Sequence, residues 1–214
     1  MNNSKFIKFA GWVFIISLIF YFSTIFLSTL LCGPSCGNPI PPPFDEINSW
    51  ASDGSFSWRS NALSDLGISK VANIYNSSLI ILGVLVLIFY IGFIKAYAKS
   101  ALFYLGGILL ILTSVFISLL GVFTEAYATA HTALTVVYFA LGPIGMMLVG
   151  LAFMRMDMKT KGYLSILLGI INLLVILIPW YVWLGLGLAV PEVVAVVVTG
   201  VWGVWMSVGL IRHK

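Results

Sequence analysis

Two short polar stretches, "WRSNALSDLG" at 58–67 and "GVFTEAYATAH" at 121–131, hold the side chains best equipped for chemistry in an otherwise apolar chain. Asp65, Glu125 and His131 are the residue types that carry protons, and Ser64 is a hydroxyl nucleophile beside an acid. Arg59, Asn61, Ser64 and Asn73 would supply the hydrogen bonds that grip a polar headgroup. Ser64, Asp65 and His131 together are the components of a nucleophilic triad. Adjacent side chains on a helix, however, point about 100° apart. A structural account fits the motif equally well: Ser64 as a helix N-cap, Asp65 as an acid of the first turn, and Gly67 for close packing. Glu192, following Pro191, joins the same polar group, although an acid there also suits a helix N-terminus.

Histidine is too scarce for the metal chemistries of helical membrane bundles. His131 and His213 are the two present, and His213 lies at the far end of the chain, so neither a three-histidine zinc site nor bis-histidine haem ligation is available. A carboxylate-rich site built from Asp65, Glu125 and His131 is the remaining metal option. Met146, Met147 and Met154 run away from these residues, so a methionine-ligated haem is disfavoured, and no cofactor is expected.

The elements that must position these groups follow from composition. With 61% hydrophobic and 8% charged residues, the chain is far from the range of a soluble domain. The pattern predicts an all-α, polytopic six-helix membrane bundle, a single domain over 1–214, with spans near 9–31, 71–94, 101–123, 130–154, 163–184 and 191–211. The runs are continuously apolar instead of alternating, which favours helices over barrel strands. The first run is read as a span, since it is too long for a signal peptide and "LLCGPSCG" is a poor cleavage site.

Lys5, Lys8, Lys95, Lys99, Arg155, Lys159, Lys161, Arg212 and Lys214 fall on one set of connectors, and Arg59 and Lys70 on the other. That asymmetry predicts a multi-pass protein of the cell membrane with both termini cytoplasmic. The basic balance is thus a topology signal, and nucleic acid is not an expected partner. Asp45, Glu46, Asp53, Asp65, Glu125 and Glu192 gather on the opposite side, with Asp157 alone among the bases. On this topology 32–70 is an extracellular loop capping the outer mouth, with "NPIPPP" stiff and extended and the tryptophan-bearing stretch after it suited to the interface. Cys32 and Cys36 face the oxidising side, where a disulfide is the favoured state; free thiols or a metal are the alternatives, and redox catalysis is disfavoured by the spacing. No ladder of acids and no clear internal repeat argues for transport.

"SDLG" before the second span, Asn73 or Asn76 at its start, "GVFTE" closing the third and a histidine opening the fourth together resemble an uncharacterised six-span family, domain of unknown function 998. The resemblance runs roughly from Gly11 to Leu210, and Thr124 stands where that pattern usually has proline. It implies Ser64, Asp65, Gly67, Glu125 and His131 as the positions of interest, and it implies no reaction. Two functional expectations follow. One is an outward-facing polar pocket for a lipid headgroup or small amphiphile, drawn from the membrane lipids, with hydrolase-like or transferase-like chemistry by Asp65, Glu125 and His131 as an extension. The other is a non-catalytic accessory subunit of a larger membrane complex, with membrane protein partners or a homo-oligomer.

Overall fold

The computed structural model describes residues 3–34, 36–37 and 54–213. Six long helices account for most of them: α1 (Asn3–Leu31), α2 (Ala72–Tyr97), α3 (Ala101–Val122), α4 (Ala128–Arg155), α5 (Lys159–Leu177) and, after the short α6 (Trp180–Trp183), α7 (Ala189–Ile211). All six are long and apolar enough to cross a membrane, and the protein is a multi-pass membrane protein. Single 3-10 turns at Leu63–Ile68 and Glu125–Tyr127 precede α2 and α4.

Five of the predicted spans agree with the helices to within a few residues, except that α1 begins earlier, at Asn3. The fifth differs: it was expected to reach Leu184 but stops at Leu177. Pro179 has no N–H to continue the ladder and disfavours helix in the residue before it, so the chain breaks there and restarts as α6. Of the loop expected to cap the bundle, 32–70, residues 35 and 38–53, with "NPIPPP" and most of the tryptophan-bearing stretch, lie outside the described residues.

Each long helix packs against its neighbour in sequence, and α7 closes back onto α1, so the six form a ring. Small residues permit the closest approaches. A Cβ on Gly106 would sit 3.0 Å from the Gly145 carbonyl across the α3–α4 seam, and one on Gly162 would sit 2.9 Å from the Gly150 carbonyl across α4–α5. At one end the ring's axis is filled by aromatic side chains. Phe89, Phe93, Phe103, Phe153 and Trp202 are all fully buried, with Phe103 and Phe153 edge to face at 5.2 Å. Trp202 Nε1 donates to Ser165 Oγ at 2.8 Å, which satisfies the one polar atom of that ring. Lys161 reaches the same end, its Nζ donating to Tyr97 Oη at 3.1 Å.

The other end is built from connectors. Cys32 and Cys36 form a disulfide, Cα to Cα 5.0 Å, just past α1, and both are buried. The backbone around it is stitched to later chain: Phe56 N donates to the Cys32 carbonyl and Lys70 N to the Cys36 carbonyl, each at 3.2 Å. The α6–α7 connector packs on the same layer, with Gly187 N donating to Trp58 O and Ala189 N to Asn61 O, both at 2.9 Å. Gly187 is required there, because a Cβ would lie 2.6 Å from the Asn61 carbonyl oxygen.

Candidate functional site

The 63–68 turn is held by carboxyl groups from three parts of the chain. Asp65 is fully buried, and its Oδ2 accepts from Asn61 Nδ2 at 2.6 Å and from Ala62 N at 3.0 Å. Glu192, in the first turn of α7, accepts from Leu63 N through Oε2 at 2.7 Å. Two N–H groups at the start of the turn, which its own ladder cannot satisfy, are thereby paired. Asn61 is fixed in turn by Ser57 N, which donates to its Oδ1 at 2.9 Å.

Glu125 joins this layer from the α3–α4 connection. Ser64 Oγ donates to Glu125 Oε1 at 2.5 Å, and the Asp65 and Glu125 carboxyls share a hydrogen bond. Two carboxyl groups bond in this way only if a proton lies between them. Burial, and next the Glu125 charge, push the Asp65 carboxyl up to about 8 from the usual 3.8, so Asp65 holds that proton near neutrality. The resulting arrangement has Asp65 and Ser64 both donating to a Glu125 carboxylate.

Beneath this layer a narrow cavity of about 100 Å³ runs down the axis of the ring. Ser64, Thr124, His131 and Glu192 line its polar end. Tyr75, Leu82, Leu110, Tyr138, Met146 and Val196 line the walls, and Tyr90 and Phe14 stand at the aromatic floor. Tyr75 and Tyr90, which both line it, stand fifteen residues or about 22 Å apart along α2. His131 Nδ1 donates to the Phe123 carbonyl at 2.8 Å, which fixes the tautomer and leaves Nε2 as the acceptor.

The residues singled out from sequence are distributed unevenly over this site. Asn61, Ser64, Asp65 and Glu125 form one connected network, and His131 lines the same cavity from α4. Asp65 itself lies behind the cavity wall. Arg59 and Asn73 are exposed and outside the lining. Asn73 precedes the cavity-facing Tyr75 by two residues, about 200° around α2, which turns it away. Asn76 takes the inward position, its Nδ2 donating to the Gly67 carbonyl at 2.9 Å. A Cβ on Gly67 would stand 2.6 Å from Asn76 Oδ1, so the glycine of "SDLG" serves this contact.

Other members carry little sequence signal. Glu192 is structurally central to the turn, whereas the residues after Pro191 read equally well as an ordinary helix start. Asn172, midway along α5, donates through Nδ2 to Thr199 Oγ1 at 2.6 Å, but its Oδ1 is buried without a hydrogen-bond partner, as is Thr135 Oγ1 on α4. Both residues line the cavity. A lone amide inside "GIINLLVIL" is costly in a membrane span, and that cost was the available clue. Among the described residues, no three His, Cys, Asp or Glu side chains are grouped so as to hold a metal ion.

Residues 47–209 match the model of a family described as protein of unknown function (DUF998). No curated protein and no solved structure matches the chain.

Proposed function

The chain belongs to the DUF998 family, whose description names no activity, and from the geometry we propose that it binds a single-chain amphiphile. The polar group sits against Ser64, His131 and Glu192, and the chain extends down the cavity toward Tyr90. The observation that carries this reading is the cavity itself: long, narrow, apolar along its walls, floored by aromatic rings and headed by a hydrogen-bonded layer of carboxyl groups. Such a shape matches a short, slender alkyl chain with one polar end. Asp65 and Glu125 act as positioning residues, holding Ser64 and the 63–68 turn at the cavity's head.

The basic connectors support an orientation with both termini in the cytoplasm and this polar end facing outward from the cell membrane. The disulfide supports the same orientation, since Cys32 and Cys36 then meet an oxidising compartment.

Native mass spectrometry on protein extracted from its own membrane tests the binding. The expected result is a one-to-one adduct of amphiphile mass, absent from Ala195→Phe, which places a ring in the cavity, and reduced in Glu192→Gln. No adduct, or an adduct unaffected by either change, overturns the reading. A stoichiometric protein partner in its place would turn the reading to the accessory-subunit role.

A catalytic extension rests on one contact. Ser64 Oγ lines the cavity and donates to Glu125, the arrangement of a nucleophile beside a base. Glu125 is also engaged by the Asp65 carboxyl, so it is not held for Ser64 alone. Binding is therefore the primary reading. If bonds are broken at this site, Ser64→Ala abolishes turnover and leaves the adduct in place.

A further inference from the structure

Neither Lys nor Arg is among the residues lining the cavity, and the acidic side chain among them is Glu192. Its head presents the Glu192 carboxyl, backed by Glu125 and Asp65, beside the His131 ring. From 32 to 70 the basic residues are Arg59 and Lys70, both exposed; the stretches 123–130 and 178–191 contain no Lys or Arg. Deeper, Asn172 is 3% exposed and lines the cavity, yet its Oδ1 has no partner in the protein. That oxygen lies beside Thr199, seven residues along α7 from Glu192 and level with the occupant's chain, so the choice of head group rests on the cavity's polar end. Thr135 Oγ1, also unpartnered, faces the same space.

We infer that the occupant is a donor-bearing amphiphile with a cationic head, a primary amine on a short alkyl chain, and that its phosphate counterpart is excluded. This rests on the amphiphile reading and narrows it. An ammonium carries three donors and a positive charge, which a carboxyl-rich, water-poor head can pair and solvate. A phosphate monoester brings a charge of about −1.5 to −2 and three acceptor oxygens, and needs Arg, Lys or a row of free N–H groups to hold it. At this head the nearby N–H groups of Ala62 and Leu63 are already taken by Asp65 and Glu192.

Three probes of equal, short chain length separate the possibilities: octylamine, octanol and octyl phosphate, titrated into the full-length protein in nanodiscs of neutral lipid. Ala195→Phe nanodiscs define binding outside the cavity. The expected order is amine first, about ten-fold tighter than the alcohol, with the phosphate weakest. Glu192→Gln should reduce the amine's advantage to about three-fold or less while leaving the alcohol's binding nearly unchanged. An amine no tighter than the alcohol, or a phosphate as tight as either, overturns the inference and leaves the amphiphile reading standing. No saturable binding by any of the three overturns both. If Ala195→Phe does not fold, Thr135→Phe serves in its place, since it puts a ring into the same cavity from the α4 wall.

Discussion

Asp65 is the residue on which the site's order depends. Truncation by Asp65→Ala leaves Asn61 Nδ2 and Ala62 N without their acceptor in a buried place, at a cost of about 1–3 kcal/mol for each group. Asp65→Asn is different, because an amide keeps an acceptor for those donors and offers an N–H to Glu125 where the shared proton lies. The pH dependence distinguishes the two forms of the site. The folded carboxyl is raised to about 8 from 3.8, so the folded state holds more protons across that window. Its contribution to stability is therefore full below 3.8 and is lost as pH rises through about 8. Thermal melts in detergent should show the wild type losing stability between pH 6 and pH 9 relative to Asp65→Asn. Parallel curves for the two proteins would contradict the shared proton.

At the scale of elements, the junction between the 63–68 turn and α2 is the tightest seam of the site. Gly67→Ala drives a methyl group against Asn76 Oδ1 and should cost about 1–3 kcal/mol. Asn76→Ala removes the obstacle along with one hydrogen bond, so the double variant should be less destabilised than the two single changes added together. Strict additivity in denaturation midpoints would place the cost of Gly67→Ala elsewhere. The helices themselves were legible in the sequence because lipid forces every span to be long, apolar and internally hydrogen-bonded. The end of α5 was misjudged because hydropathy continues through "IPWYVWL" while Pro179 interrupts the ladder. Much of the site was legible too, since polar groups beside apolar runs attract notice: Ser64, Asp65, Glu125 and His131 meet as their placement at the ends of neighbouring spans suggests. Which asparagine faces inward was not legible, because Asn73 and Asn76 lie only about 60° apart around α2 and a small rotation of the helix decides between them. The depth and partnering of Asn172 depend on how α5 leans against α7, which no local pattern records.

For the molecule as a whole, charge divides the bundle between its ends. The end carrying Lys161 and Arg155 is basic, and the end carrying Asp65, Glu125 and Glu192 is acidic. On the proposed orientation, with both termini cytoplasmic, a fluorescent protein fused after Lys214 should light up in living cells, while alkaline phosphatase at the same place stays inactive. The reverse result would invert the bundle and move the cavity's head to the reducing side, at odds with the disulfide. The ring also has a bearing on synthesis. The last long helix closes the circle against the first and brings Glu192 to a turn formed by residues made far earlier. A nascent chain halted before α7 has a gap in its wall and lacks one of the acceptors that hold the turn. Synthesis of α7 and closure of the cavity wall are thus the same event, and a chain cut before α7 displays to the cell's quality control an open, polar-lined cleft.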